Sequence, residues 1–129
     1  MNEFEKLGLA PLLVDSITKM GYEKPTPIQS LVIPHVLNNP GDVVALAQTG
    51  TGKTFAYILP LLRLHTFSKS IEPRILVLVP TRELVIQVVE EFEKVAKYMN
   101  IRIGGVYGGV NMAVHTKLVH DGLDVIVGT

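Results

Sequence analysis

Cysteine is absent from the 129 residues, which excludes disulfides and thiolate metal sites. Net charge is absent as well. Lys plus Arg number 12 and Asp plus Glu number 12, so no global basic field attracts a polyanion. Any nucleic-acid contact must come from local placement of donors. No apolar run reaches the ~18 residues needed to span a bilayer. The opening Met-Asn-Glu-Phe-Glu-Lys lacks a signal-peptide pattern. A cytoplasmic protein without membrane contact is the expectation. His35, His65, His115 and His120 show no metal-ligand spacing, and no internal repeat, low-complexity tract or linker is present. What the chain does have is apolar content: 47% hydrophobic residues and a mean hydropathy of +0.33. That fits parallel strands buried on both faces, which read as continuous apolar runs.

The most informative stretch is Asp42 to Thr54. Val43 to Ala47 reads as a buried strand, and Lys53-Thr54 opens an apolar-periodic helix. Between them, Ala47-Gln-Thr-Gly-Thr-Gly-Lys-Thr54 has the pattern of a phosphate-binding loop, with Ala in the first Gly position. Gly50 and Gly52 let backbone N–H groups approach phosphate oxygens without an intervening Cβ. The helix N-terminus directs unpaired N–H groups and its positive dipole end at the same anion. Lys53 supplies a point charge, and the Thr54 hydroxyl is a candidate Mg²⁺ ligand.

Around this loop, helices and strands alternate. Helices are predicted over 9–20, with Leu12, Leu13, Ile17 and Met20 inward, and from Thr26, with Ile28, Leu31, Val32 and Val36 inward. In the second, Thr26 is the N-cap and Pro27 the first helical residue. A helix from Lys53 to about Thr66 is expected to kink at Pro60. Strands are predicted over 74–79, 102–107 and 124–127. Amphipathic helices are predicted over 81–99 and 112–120. Such alternation specifies an α/β fold, a parallel sheet flanked by helices on both faces. Ligands then collect beyond the carboxyl ends of the strands. The phosphate loop, Pro80-Thr81-Arg82, Gly108-Gly109 and Gly128-Thr129 all follow strands and should line one edge.

Taken in order, these motifs resemble the DEAD-box RNA helicases. Gly21-Tyr-Glu-Lys-Pro-Thr-Pro-Ile-Gln29 looks like that family's Q motif, with Phe4 as its upstream aromatic. Ala47 to Thr54 is like motif I and Pro80-Thr-Arg-Glu-Leu84 like motif Ia. Gly108-Gly109 is like the GG motif, and Val127-Gly-Thr129 like the start of motif Ib. The resemblance covers essentially the whole chain and implies a RecA-like P-loop NTPase core, here its incomplete N-terminal portion. Residues 1–30 form the N-terminal helix and Q-motif region, and 31–129 a partial ATP-binding domain that makes one structural unit with it. The family's Asp-Glu-Ala-Asp box, its Ser-Ala-Thr motif and its second RecA-like domain are not in the sequence.

The resemblance also implies the site residues. ATP is held by Gln48, Thr49, Gly50, Thr51, Gly52, Lys53 and Thr54, with Thr54 also on Mg²⁺ and Lys53 and Thr54 counted as catalytic. Gln29 takes adenine bidentately, accepting from N6 and donating to N7. Guanine mismatches one of those contacts, a difference of ~1–3 kcal/mol by analogy with base readout. Thr26-x-x-Gln29 is equally a capping box that needs no ligand. Phe4 stacks on the base or anchors the first helix, Tyr22 contacts adenine or packs in the core, Lys24 borders the base or is a solvated charge, and Thr26 borders the base. Pro80, Thr81, Arg82, Gly109 and Thr129 contact the RNA sugar–phosphate backbone. Arg82 stands out from the residues alone, since a cation at a helix N-terminus opposes the dipole and calls for a partner anion. The expected function is the ATP-binding part of an RNA helicase. Alternatives are a nucleotide-binding module that is catalytically silent by itself, or another P-loop ATPase such as a DNA translocase.

Overall fold

The computed structural model describes residues 2–50 and 52–129. The chain forms two compact units, Met1–His65 and Thr66–Thr129.

The first unit is helical. It contains α1 (Glu3–Lys6), α2 (Pro11–Lys19), α3 (Pro27–Asn38) and α4 (Lys53–Leu64). Helix α1 starts from Asn2, whose side chain accepts from the Phe4 N–H at 2.7 Å, and it buries Phe4. Helix α2 starts with Pro11, a residue pre-set for the first helical position. It buries Leu13, Val14 and Ile17, whereas Leu12 is exposed. Helix α3 begins with Pro27 behind the Thr26 cap and buries Val32 and Ile33. Leu31, expected inward, is 72% exposed. Helix α4 runs unbroken through Pro60, which is buried. A proline removes one ladder bond. Here Ile58, Leu59, Pro60 and Leu62 are all buried against the unit's interior, and that packing holds the helix together.

The predicted strand Val43–Ala47 does not form. The segment pairs with no strand among the described residues, and Val44 and Leu46 are 88% and 89% exposed. Apolar sequence alone cannot make a strand, because each backbone N–H and C=O requires a neighbour.

The second unit is the α/β part. Its elements run β1 (Ile75–Leu78), α5 (Arg82–Val95), β2 (Ile103–Val106), α6 (Met112–Asp121) and β3 (Val125–Gly128). The strands form a parallel sheet in the order β1-β3-β2. In register, Ile75 lies beside Val125 and Val125 beside Ile103. The central strand buries Val125 and Val127 completely. Strand β1 differs from its predicted full burial: Leu76 and Leu78 are 66% and 69% exposed. It is an edge strand, and one of its faces is uncovered.

Two adjacent glycines show where the helices lie. Neighbouring strand residues project to opposite faces. A Cβ on Gly105 would meet Val85 and Val89 of α5, at 2.8 and 3.3 Å. A Cβ on Gly104 would meet Leu118 of α6 and Leu123, at 2.9 and 2.8 Å. So α5 and α6 cover opposite faces of β2, each packed directly on backbone. Beneath α5 lie Val85, Val88, Phe92 and Val95, all buried. At the other end of the sheet, buried Asp124 ties the strand entrances together. It accepts from the Arg102 N–H at 2.8 Å and from Arg102 Nε at 3.1 Å, and Arg102 Nη2 also donates to the Ser70 carbonyl.

These contacts predict different tolerances for the two glycines. Val85 is fully buried and, being β-branched in a helix, has one strongly preferred rotamer. Gly105→Ala therefore overpacks the sheet and is expected to cost roughly 1–3 kcal/mol in thermal or denaturant unfolding. Gly104→Ala meets only the ends of leucine side chains and should cost less; the reverse order would contradict this packing.

Candidate functional site

In the first unit the phosphate loop is built by glycine geometry. Gly50 and Gly52 have φ of +83° and +85°, a region that side-chain-bearing residues rarely enter. Gly52 is the N-cap of α4, and among the described residues no side chain caps that helix. Unpaired N–H groups at a helix N-terminus are the kind of group that can bind an anion. Lys53 is exposed at this end, and among the described residues no carboxylate pairs with it. Lys53 also lines a cavity of about 260 Å³ with Ile28, Val32, Ala45, Ala56 and Tyr57. Burial pushes the Tyr57 phenol above its ordinary pKa, while a hydrogen bond with the Thr54 side chain pulls it down. Gln48 and Thr49 are exposed on the approach to the loop. Thr51 lies outside the described residues.

Gln29 is 3% exposed, and both ends of its amide are engaged. Oε1 accepts from the Thr26 N–H at 2.9 Å, while Thr26 Oγ1 accepts from the Gln29 N–H at 3.4 Å. This is the capping box expected from Thr26-x-x-Gln29. The other end does something no local pattern announces: Nε2 donates to the Gly52 carbonyl at 3.1 Å. Gln29 therefore latches the start of α3 to the N-cap of the phosphate-loop helix. The fit is close enough that a Cβ on Gly52 would lie 2.5 Å from Gln29 Nε2 and 3.0 Å from Thr26.

Tyr22 sits at the same end, its ring edge-on to Phe55 in the first turn of α4, with centroids 4.8 Å apart. It is 43% exposed and so has surface to offer a ligand. Lys24 is exposed. Phe4, in contrast, is 1% exposed. Its burial favours the anchoring role over an open stacking face.

In the second unit, three parallel strands end together. Pro80-Thr81-Arg82 follows β1, Gly108-Gly109 follows β2 and Thr129 follows β3. Thr81 caps α5 by accepting from the Leu84 N–H at 3.2 Å. The Thr129 N–H donates to the Val106 carbonyl at 3.4 Å. Arg82 reaches across: a Cβ on Gly109 would lie 3.7 Å from its guanidinium. Among the described residues no carboxylate meets this cation at the helix N-terminus, and an aromatic face lies beside it instead. The Arg82 guanidinium carbon lies 5.3 Å from the Tyr107 ring centroid. The Tyr107 ring meets His115 edge-to-face at 5.0 Å. Sequence reasoning missed Tyr107 and found in His115 only the lack of metal-ligand spacing. The available signal was an aromatic residue placed directly before Gly108-Gly109.

The model of the DEAD/DEAH box helicase family matches residues 26–129. This chain belongs to that family. Among similar DEAD-box proteins is the ATP-dependent RNA helicase DeaD of Buchnera aphidicola subsp. Schizaphis graminum. It is 46% identical over 128 residues, which are 98% of this chain and 21% of the relative. The DEAD-box ATP-dependent RNA helicase CshA of Bacillus cereus is 43% identical over 130 residues, 100% of this chain and 24% of the relative. The chain thus spans between a fifth and a quarter of these helicases. Its fold is similar to part of a DEAD box protein from Methanococcus jannaschii, with a TM-score of 0.90 and 38% identity over 100% of this chain and 35% of that one. The RNA helicase Prp28 from Chaetomium thermophilum, solved with ADP bound, matches at a TM-score of 0.87 and 37% identity, over 100% of this chain and 32% of that one. No described helix of this DEAD-box chain is long and apolar enough to cross a membrane.

The latch has a measurable consequence. Gln29→Ala leaves the Gly52 carbonyl and the Thr26 N–H without their buried partner, at a cost of roughly 1–3 kcal/mol. Gln29→Glu retains an acceptor for Thr26 but sets an oxygen against the Gly52 carbonyl. Both variants are expected to unfold at lower temperature than the wild type by circular dichroism. A wild-type melting temperature for Gln29→Glu would show that the Gly52 contact contributes nothing.

Proposed function

We propose that this chain is the ATP-binding part of an ATP-dependent RNA helicase, which in the complete protein couples ATP hydrolysis to RNA binding and local duplex unwinding. The observation that carries the reading is the latch, because the residue suited to read adenine is bonded to the loop suited to hold phosphate. The N–H groups from Gly50 to Thr54 and the Lys53 ammonium would hold the phosphates, and Thr54 would contribute an oxygen to Mg²⁺. When bound, the metal would neutralise phosphate charge. Gln29 has one further lone pair on Oε1 and one further N–H on Nε2. It could therefore take adenine N6 and N7 without releasing Thr26 or Gly52. Tyr22 and Lys24 would border the base. Pro80, Thr81, Arg82, Gly109 and Thr129 would position RNA through its backbone without reading sequence. A second RecA-like domain would complete both sites, and the cytoplasm is the proposed location.

One observation favours the catalytically silent reading for the 129 residues by themselves. The Asp-Glu-Ala-Asp box that would hold the metal and place the attacking water is not in these 129 residues. Phosphoryl transfer needs metal and attacking water held together. The isolated chain is therefore expected to bind ATP but not to turn it over. RNA-stimulated hydrolysis by the purified chain, at rates like an intact helicase, would refute this.

For the complete protein, Lys53→Ala removes the phosphate-loop cation while leaving the fold intact. RNA-stimulated ATPase activity is expected to vanish with no change in melting temperature. Hydrolysis at the wild-type rate would remove Lys53 from the phosphate site.

A further inference from the structure

We propose that Tyr107 is a positioning residue for RNA binding: its ring, set edge-on against His115, holds the Arg82 guanidinium beside the Gly108-Gly109 turn, where a backbone phosphate would meet it. This rests on the RNA-binding reading of the strand ends given above and adds the device that prepares one of its contacts.

Three observations meet here. First, Arg82 opens α5, where the helix dipole disfavours a cation. Among the described residues no hydrogen bond or carboxylate restrains its guanidinium. A long exposed side chain in that setting would sample many rotamers, and ordering it on binding would cost entropy. Second, the Tyr107 ring supplies a negative face at 5.3 Å from the guanidinium carbon. Such a contact biases the rotamer yet leaves most of the five N–H donors unspent, available for bidentate contact with a phosphate. Third, the ring is itself braced. His115 is 6% exposed and packs edge-to-face on Tyr107 at 5.0 Å and 75°. The bracing histidine comes from α6 and the arginine from α5, so the tyrosine at the end of β2 connects the two helices at the RNA-facing edge.

The test uses the complete protein, a fluorescent single-stranded oligouridylate and a non-hydrolysable ATP analogue. Tyr107→Leu should weaken RNA binding roughly two- to fivefold, the fold-change corresponding to an exposed cation–π contact. Tyr107→Phe keeps the ring and should restore wild-type affinity. In the Arg82→Ala background, Tyr107→Leu should have no further effect, and affinity for the ATP analogue should stay unchanged throughout. His115→Leu, which frees the ring without removing it, should give a smaller weakening that also disappears without Arg82. It serves as the second variant should Tyr107→Leu fold poorly. An equal effect of Tyr107→Leu with and without Arg82 would overturn the proposal, as would failure of Tyr107→Phe to restore binding. If Arg82→Ala weakens RNA binding and Tyr107→Leu does not, the positioning role alone falls. If Arg82→Ala changes nothing, the RNA-binding reading falls and the positioning role with it.

Discussion

The amide of Gln29 is the contact on which the first unit's site depends. One end closes the capping box of α3 by accepting from Thr26, and the other donates to the carbonyl of Gly52. Gly52 is at once the N-cap of α4 and the left-handed residue that turns the phosphate loop into its helix. A single side chain thus fixes the spacing between the start of α3 and the N-cap of α4, the two positions proposed to hold base and phosphate. The tightness of the contact explains why the loop residue must be glycine. There is no room for a Cβ between Gln29 and Thr26, and the backbone angle is one that glycine adopts freely.

The second unit solves a different problem with the same economy of side chains. Three parallel strands deliver three loops to one end, and the sheet must be thin enough at β2 for helices to pack on both faces. Gly104 and Gly105 permit that approach, to α6 and to α5 respectively. The opposite end is secured by the Arg102–Asp124 fork, well away from the loops. Structural pairing at the strand entrances and candidate ligand-binding loops at the strand exits is the division of labour expected of a parallel α/β sheet. Strand β1 remains open at its edge and on one face, where Leu76 and Leu78 are exposed.

Much of this was legible in the residues, and the failures have physical causes. The alternation of elements in the second unit and the cap at Thr26 follow from local chemistry, as do the phosphate-loop glycines, and local chemistry is written in the sequence. The faces of α2 and α3 were only partly legible. Leu31 is exposed because α3 is apolar on too many sides for a 3.6-residue period to select one, whereas Leu12 is exposed although α2 is amphipathic. The stretch from Val43 to Ala47 reads as a buried strand because apolar runs report a tendency to be buried. They do not report the presence of a pairing partner. The Gln29–Gly52 bond joins residues 23 apart in sequence, beyond the reach of any capping pattern. Arg82 was recognisable as a cation calling for a partner anion, but the Tyr107 ring that lies beside it is a tertiary fact.

The most direct test of the central claim is a structure of the complete protein with a non-hydrolysable ATP analogue. The account predicts phosphate oxygens within hydrogen-bonding distance of the backbone N–H groups of the Gly50–Thr54 loop. It also predicts adenine N6 and N7 on the Gln29 amide, with the Gln29–Gly52 bond still made. Nucleotide bound elsewhere, or adenine seated with Gln29 turned away from both base and Gly52, would contradict it.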